Sequence, residues 1–380
     1  MTLPGHDAPA SPAIPSWRSL RRPLVLILVA VVLAVSAWTA VANYLVVARD
    51  PEAPVDTYLS RLEGGSSRQV LAPLLVGGGD DLAQLLPNSV YRGAANRPVG
   101  HEFVGTEVRG EHAEVTVDIH LGDGSTVRRS YGVDQVTAWG PFNDTWRLHR
   151  RDETTVEVRF PGPLDALAVN GEKVRPDAES TSAPDASRPQ ARAWRFEALP
   201  GRYDIALPDD SYLLATKHAA ADISIRDARP AVTEELSVTA SPRLWEEAER
   251  EVQQRLAACE SVLRFDLSAC PVPRELARAA SSAQTERTPS PGSGELPAGV
   301  SAVRWEVTSR PTLLLEQDDD DPLTFHAAHF RATEATVTWL EHGRQKKGTV
   351  RFGIDVTART TGEQLSTEVR LRSMLTGAEK

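Results

Sequence analysis

The sequence predicts an α+β, multidomain protein with a single N-terminal transmembrane helix. Three features predict this class. Residues 23–47 form an apolar run without a charged side chain, residues 55–86 carry apolar side chains at helical spacing, and alternating patterns dominate from residue 115 onward. Helical segments followed by segments with a period of two are typical of α+β domains, because helices and strands are then segregated along the chain.

The apolar run, from Pro23 to Val47, is long enough to span a membrane. At about 1.5 Å per residue a helix of this length covers ~37 Å, whereas the hydrocarbon layer of a bilayer is about 30 Å thick. We therefore predict a transmembrane helix over residues 23–48.

Charged residues on the two sides of this run predict its orientation. Arg21 and Arg22 come directly before it, and a net acidic segment that includes Asp50 follows it. The positive-inside rule places residues 1–22 in the cytoplasm and everything after Ala48 outside the cell membrane. The leader, residues 1–22, is rich in Pro and Ala, and we expect it to be disordered. A cleaved signal peptide is the alternative, since Ala40-Val41-Ala42 is an A-x-A pattern. The run exceeds the roughly 7–15 residues of a signal h-region, which favours an uncleaved anchor.

Charge and cysteine content limit the function classes. The net charge of −10 argues against nucleic-acid binding.

Cys259 and Cys270 are the two cysteines of the chain, and both lie outside the cytoplasm in the predicted topology, where thiols tend to oxidise. We predict a disulfide between them. A zinc site would need four ligands, and a nucleophilic cysteine would need a nearby base; no matching pattern is visible for either alternative.

The first predicted outer domain covers residues 52–150. Apolar spacing predicts short helices over residues 55–62, 70–75 and 82–86, the first ended by two glycines and the third by a proline. Residues 114–121 then alternate between polar and apolar side chains, which predicts a half-buried strand. The following Gly-Asp-Gly predicts a hairpin, and residues 145–150 predict the last strand.

This domain resembles the NTF2-like, cone-shaped α+β fold. The resemblance rests on a YLxxL helix beginning at Tyr58, the glycine break after it, a short helix with paired leucines, and a strand ending in Trp146-Arg147-Leu148. NTF2-like cones often hold a pocket, and the resemblance implies that a set of aromatic residues could line one. These residues are Tyr58, Tyr91, Tyr131, Trp139 and Trp146. The alternative is that they fill the core of the cone, as aromatic side chains of small domains usually do.

Residues 152–240 predict a small β domain. Asn170-Gly171 and Pro200-Gly201 are turn dipeptides between alternating segments, and residues 176–191 have the Pro-, Ser- and Ala-rich composition of a flexible loop.

The remaining segments are a helix, a linker and a β-rich domain. Residues 241–280 predict a helix capped by Ser241 and followed by the cysteine loop, with Pro242 in the first turn. Residues 281–299 predict a Ser/Pro/Gly linker, and residues 300–375 predict a C-terminal β-rich domain with turns at Gly343 and at Thr361-Gly362.

The complete outline resembles the teicoplanin-resistance-associated membrane proteins and related actinobacterial proteins. The shared features are the membrane helix, the NTF2-like domain, the β unit with Asn-Gly-x-Lys and Pro-Gly-x-Tyr turns, and the helix with a C-x10-C-P pattern. The family's cytoplasmic zinc ribbon is absent, because residues 1–22 contain no cysteine. The resemblance implies a cell-envelope role and supplies no catalytic residue.

Four clusters of polar residues resemble parts of known chemical sites. His112 and His120 share a predicted strand face with Glu114 and Asp118, which could gather a metal, although a solvated face is the usual pattern. The acidic run of residues 318–321, near His326 and His329, lacks the alternating ligand spacing and glycine of a calcium loop. The glycines at 77–79 lack the Lys and Ser/Thr of a phosphate-binding loop, and Ser293 lies in the linker and not on a nucleophile elbow.

We therefore expect a non-enzymatic, single-pass membrane protein of the cell envelope, without cofactor or metal. Its outer domains are expected to bind an envelope protein or a cell-wall polymer. The alternative is an envelope enzyme or small-ligand binder that uses an NTF2-like cone.

Overall fold

The computed structural model describes residues 17–47, 50–75, 83–137, 144–149, 152–183, 190–217, 219–225, 231–260, 270–283, 299–309, 312–327 and 333–374. The chain divides into two compact units. Unit 1 comprises Met1–Ser60 and Pro98–Arg151, and unit 2 comprises Arg61–Arg97 and Asp152–Lys380. Residues 61–97 are thus grouped with the second unit, whereas the sequence predicts one domain over residues 52–150.

The described residues contain both helices and strands, numbered in chain order. The helices are α1 (Trp17–Val47), α2 (Ala53–Glu63), α3 (Ser67–Leu75), α4 (Asn88–Arg92), α5 (Pro242–Glu260) and α6 (Arg274–Ala283). The first strands are β1 (Gln84–Leu85), β2 (Pro98–Arg109), β3 (His112–Leu121), β4 (Thr126–Thr137), β5 (Asp144–Leu148), β6 (Thr154–Phe160), β7 (Leu167–Val169), β8 (Glu172–Val174), β9 (Thr181–Ser182) and β10 (Arg192–Ala198). The later strands are β11 (Gly201–Ala206), β12 (Leu213–Ala215), β13 (Ala219–Ile223), β14 (Val232–Glu235), β15 (Val238–Ala240), β16 (Val300–Val307), β17 (Leu315–Gln317), β18 (Thr324–Ala327), β19 (Thr333–Glu341), β20 (Arg344–Thr360) and β21 (Leu365–Ser373).

The apolar run forms most of α1, a helix of 31 residues. Its segment Pro23–Ala42 is long and apolar enough to cross a membrane, and none of it is buried against the rest of the chain. Exposed leucine and valine side chains on all sides of a helix are stable in lipid and not in water. The predicted helix is therefore present, and its composition is that of a membrane anchor or a signal sequence.

Unit 1 is built on a four-stranded antiparallel sheet in the order β2-β3-β4-β5. Val115, Val117 and Ile119 of β3 are fully buried on one face, and Val55 and Leu59 of α2 are fully buried as well. The alternation predicted for residues 114–121 is confirmed as far as Ile119, because buried and accessible side chains alternate along β3 up to that residue, whereas Leu121 is half-buried.

The third predicted helix, over residues 82–86, is wrong where the chain is described. Gln84 and Leu85 form β1, which pairs in parallel with Phe196 and Glu197 of β10, and the helix α4 begins only after Pro87. The Gln84 side chain also accepts a hydrogen bond from Trp194 Nε1 at 2.9 Å. Leucine spacing cannot distinguish a short buried strand from a helix turn, and a tertiary pairing decides the outcome here.

Three sheets of unit 2 contain strands of the predicted β domain. The first contains β1-β10-β6-β14, with β9 beside β10, the second contains β13-β11-β7-β8, and the third pairs β12 with β15. The predicted Asn-Gly turn joins β7 to β8, and both residues have positive φ, 51° at Asn170 and 79° at Gly171. This geometry is that of a type I′ hairpin turn. Residues 181–182 of the predicted flexible loop are instead the strand β9, which pairs with β10.

The C-terminal sheet of unit 2 follows the order β16-β19-β20-β18-β17, with β21 also beside β20. Helix α5 begins after Ser241, whose Oγ accepts the N–H of Leu244, and it buries its predicted apolar stripe. The stripe consists of Leu244, Ala248, Val252, Leu256 and Cys259. The predicted linker starts later than expected, because Ser281 to Ala283 belong to α6; residues 284–298 lie outside the described residues.

The predicted disulfide is present. Cys259 and Cys270 are joined by an S–S bond of 2.05 Å, with 5.7 Å between their Cα atoms. The bond connects the end of α5 to the segment before α6, and the carbonyl of Pro271 in that segment accepts a hydrogen bond from Trp305 Nε1 at 2.9 Å. The disulfide therefore holds this segment against the core of the C-terminal sheet.

Candidate functional site

Four of the five predicted pocket aromatics are described, and all four are buried. Tyr58 of α2 and Tyr131 of β4 meet edge to face in unit 1, with ring centroids 5.9 Å apart. Trp146 of β5 lies in the same unit, opposite Gln135 of β4. Tyr91 belongs to unit 2, and Trp139 lies outside the described residues. The aromatic set is therefore divided between the cores of two units.

Tyr91 has a structural environment in unit 2. Its hydroxyl donates a hydrogen bond to the carbonyl of Pro200 at 3.2 Å, in a buried setting. Burial, with the neighbouring Tyr203 hydroxyl as the next cause, raises the pKa of Tyr91 well above its usual value. A tyrosine held in its neutral form and bonded to a turn carbonyl stabilises that turn.

Trp146 is the unusual member of the set. Its side chain is buried, with the residue only 8% exposed, and its Nε1 has no hydrogen-bond partner in the described part of the chain. A buried N–H group without an acceptor costs roughly 1–3 kcal/mol. Such a group is satisfied when a water molecule or a ligand places an acceptor beside it.

Arg129 is a residue near this aromatic cluster that the sequence interpretation missed. It lies directly opposite Val117 of β3, on the face that carries the buried valines, and its guanidinium carbon is 5.7 Å from the centroid of the Tyr131 ring. A signal was present in the sequence, because Val127, Arg129, Tyr131 and Val133 share one face of β4 at a spacing of two, and an arginine at a core position is unexpected.

The opposite, solvent-facing side of this sheet, which we call the outer face, carries the histidines that were weighed as metal ligands. His112 Nδ1 lies 2.6 Å from one carboxylate oxygen of Asp134, and His149 Nδ1 lies 3.0 Å from the other. His120 Nε2 lies 3.8 Å from Glu102. The hydrogen bond from His112, the largest cause, and that from His149 lower the pKa of Asp134.

Among the described residues, no group of three or more His, Cys, Asp or Glu side chains is arranged to hold a metal ion. Glu114 and Asp118 lie on the outer face with the histidines, as predicted, but Asp118 is held by Arg128 through two contacts of 2.7 Å.

The acidic run at residues 318–321 is part of a hydrogen-bonded turn. Asp318 accepts the backbone N–H groups of Asp320 and Asp321, and His326 Nε2 lies 3.0 Å from it. The bonds from Asp321 and Asp320, in that order, are the main causes that lower the pKa of Asp318. Its carboxylate is thus used within the turn. His329, the glycines at 77–79 and Ser293 lie outside the described residues.

Two surface cavities lie in unit 2. One, of about 350 Å³, has an apolar floor that includes Phe160, Leu164 and Pro176. The other, of about 250 Å³, lies on the C-terminal sheet, where Asp355 pairs with Arg372 and Glu368 pairs with Arg370. The charged groups of these two ion pairs neutralise one another. The second cavity also contains a hydroxyl beside a histidine, because Thr357 Oγ1 lies 3.3 Å from His326 Nδ1 in an exposed setting.

Comparison with known protein families, with curated proteins and with solved structures finds no match for this chain. The fold and the side-chain geometry are therefore the basis for a functional proposal.

Proposed function

We propose that this chain is a membrane-tethered cell-envelope protein whose domains outside the cytoplasmic membrane bind a partner and do not catalyse a reaction. The observation that supports it best is the apolar helix at Pro23–Ala42, which the rest of the chain leaves wholly uncovered. The disulfide between Cys259 and Cys270 supports an oxidising compartment for the segments that follow.

The surfaces of the two units are the proposed binding regions. Polar and charged side chains cover the outer face of the unit 1 sheet, and the paired charges of the C-terminal sheet lie at the surface of unit 2. The proposed partner is an envelope protein or a cell-wall polymer, and the proposed orientation keeps residues 1–22 in the cytoplasm.

Topology is tested by protease treatment of intact cells that express the full chain with an N-terminal and a C-terminal tag. We expect the C-terminal tag to be removed and the N-terminal tag to be protected. A mature protein whose N-terminal sequence begins at Asn43 would contradict the anchor and support a signal peptide.

Binding is tested by cross-linking in cells and isolation of the full chain from membranes. We expect recovery of wall material or of a specific envelope protein. A control with the apolar helix alone shows what the anchor recovers by itself, and a full chain that recovers nothing beyond this control would contradict the proposal.

A second candidate function, small-ligand binding in an NTF2-like cone, is favoured by one observation. Trp146 presents a buried N–H without an acceptor, close in sequence to the end of β5 and on the sheet that also carries Tyr131. Native mass spectrometry of the purified chain tests it. We expect a bound small molecule that is lost in Trp146→Phe and retained in Trp245→Phe, a matched change on α5 of unit 2. A wild-type protein without a bound molecule would contradict this candidate.

A further inference from the structure

The cross-strand register places two opposed pairs of carboxylates, which we call the two rows, on the outer face of unit 1. Glu102 of β2 lies directly opposite Asp118 of β3, and Glu107 lies directly opposite Glu114. Like charges at directly opposed positions destabilise an antiparallel pair. Arg128 and Arg109 compensate Asp118 and Glu107, whereas Glu114 forms no ion pair among the described residues.

The space between these two rows is open and flat. Gly105 lies opposite Thr116, which lies opposite Ser130, so that this row contains only small side chains. A Cβ atom added to Gly105 would meet no other atom within 4 Å. The two register shifts of β2 leave Val99 and Val104 exposed at the edge, at 51% and 49%. An extended segment that runs parallel to the strands could therefore cross this row and contact the two valines.

The charge of the outer face depends on three histidines. Among the described residues this face carries five carboxylates and three guanidinium groups, so that their net charge is −2 while the histidines are neutral and +1 when all three are protonated. The carboxylates are Glu102, Glu107, Glu114, Asp118 and Asp134, the guanidinium groups are Arg109, Arg128 and Arg147, and the histidines are His112, His120 and His149. Histidine changes its charge between about pH 5 and 8.

We infer that the outer face of unit 1 is a docking surface for an extended, lysine- or arginine-bearing protein segment, and that protonation of its histidines releases this segment. The inference rests on the proposed function and names the chemistry of one partner. A cationic segment would place positive charge between the opposed carboxylates and so remove the repulsion within each row. Val99 and Val104 would add apolar contact at the edge.

The distance between the two rows determines how far apart the cations of the partner segment must be. Glu114 and Asp118 are four residues apart on β3, which corresponds to about 14 Å along a strand. An extended partner repeats its side-chain direction every two residues, so that cations at positions i and i+4 meet both rows from one face. Cations at i and i+3 point to opposite faces and meet only one row.

The test uses the full chain in nanodiscs of zwitterionic lipid and two labelled peptides of identical composition. Both carry two lysines in a Ser/Thr background, four residues apart in one peptide and three in the other. At pH 7.5 and low salt we expect the first peptide to bind about fivefold more tightly, the factor expected of one additional surface ion pair of up to about 1 kcal/mol. Equal affinities would overturn the inference.

Matched variants locate the site. We expect Glu107→Gln/Glu114→Gln to weaken the binding of the matched peptide about fivefold, and Glu246→Gln/Glu249→Gln, which removes two exposed acids from α5, to leave it unchanged. Both double variants change the net charge of the chain equally. Equal losses in the two would indicate unspecific attraction to an acidic protein and overturn the inference.

The dependence of peptide affinity on pH tests whether the histidines control release. Between pH 7.5 and 5.5 we expect about tenfold weaker binding by the wild type and at most a twofold change in His112→Gln/His120→Gln/His149→Gln. The same loss in both proteins would overturn the release mechanism. If neither peptide binds while the full chain still recovers an envelope partner after cross-linking, the assignment of this face fails and the proposed function stands.

Discussion

At the residue scale, individual hydroxyl groups hold turns that the sequence marks only by their composition. Tyr203, in the Pro-Gly-x-Tyr turn, is buried, and its hydroxyl accepts the N–H of Leu199 and donates to the carbonyl of the same residue, both at 3.0 Å. Burial raises the pKa of Tyr203, which keeps its hydroxyl protonated at physiological pH. One side chain therefore satisfies both backbone groups at the end of β10.

Replacing Tyr203 by phenylalanine should destabilise unit 2. The change keeps the aromatic ring and leaves the buried Leu199 N–H without a partner, which costs about 1–3 kcal/mol. Urea unfolding followed by tryptophan fluorescence measures the free energy of unfolding. Tyr212→Phe is the control, because Tyr212 is partly exposed and stacks under Arg243, 4.3 Å from the ring centroid, through its ring alone. Equal stability of Tyr203→Phe and the wild type would contradict this role.

Asp134 should make the stability of unit 1 depend on pH in the acid range. Hydrogen bonds from His112 and His149 lower its pKa in the folded protein, so that the folded state binds the proton less readily than the unfolded chain. This contribution is present above the unfolded pKa, about 3.9, and is lost as the pH falls through the lower, folded value.

We therefore expect the stability difference between the wild type and Asp134→Asn to be largest above about pH 4 and to vanish at lower pH. Urea midpoints measured from pH 2.5 to 6 test this. Asp123→Asn is a useful comparison, since Ser125 lowers the pKa of Asp123 without a histidine. A difference for Asp134→Asn that grows as the pH falls would contradict the assignment.

At the scale of single elements, strong local patterns predict the structure, and tertiary pairings explain the exceptions. The stripe on α5, the alternation of β3 and the Asn170-Gly171 turn follow directly from spacing and backbone preference, and all three are confirmed. Residues 84–85 and 181–182 become strands only because β10 offers them a partner. A single sequence does not reveal which distant strand lies beside a short segment.

The candidate site likewise contains features that local sequence patterns predict and features that depend on tertiary pairing. The placement of His112, Glu114 and Asp118 on one solvent-facing strand face was predictable from a period of two. The contact of His149 with Asp134 and the opposition of Glu107 and Glu114 depend on the register between strands, which the sequence does not specify. Arg129 was detectable as a charged residue at a core position.

The disulfide is the element-scale feature with the largest expected effect on stability. Cys259 and Cys270 are 1% and 6% exposed and close a loop over a separation of 11 residues, for which the chain-entropy model gives about 2.5–3 kcal/mol. We expect Cys259→Ser/Cys270→Ser to lose about this free energy of unfolding while α5 keeps its buried stripe.

The buried disulfide should also resist reduction in the native protein. We expect mild reductant without denaturant to leave the wild-type bond intact, because a buried disulfide is poorly accessible to a thiolate. Rapid reduction of the native protein, measured by thiol labelling, would contradict this.

At the scale of the whole molecule, the predicted β domain and the C-terminal β-rich domain are parts of one compact unit. The turn between β20 and β21 joins them. Thr361 donates from Oγ1 to Asp165 at 2.5 Å, and the Gly362 carbonyl accepts the N–H of Tyr212 at 2.8 Å. Glu363 adds surface pairs with Lys173 at 2.6 Å and Arg175 at 3.1 Å. Since exposed pairs contribute about 0–1 kcal/mol each, the backbone and hydroxyl bonds are expected to dominate this joint.

Gly362 lies in the turn that connects the two β-rich parts, and a substitution there tests this connection without removing a charge. Its φ is 102°, so that Gly362→Ala strains the backbone where it meets the β domain, although the added Cβ would make only an ordinary contact, 3.4 Å from Ser211 Oγ. Gly343, with a φ of 77° and open space around it, sits in the turn between β19 and β20 and is the matched control. A positive φ costs an L-residue about 1–2 kcal/mol, so that both alanine variants should lose similar global stability. Only Gly362→Ala should accelerate hydrogen exchange of the Tyr212 amide, because the backbone strain at residue 362 is released when the hydrogen bond between Tyr212 N–H and the carbonyl of residue 362 breaks. Equal exchange at Tyr212 in the two variants would mean that the two β-rich parts are held together by other contacts.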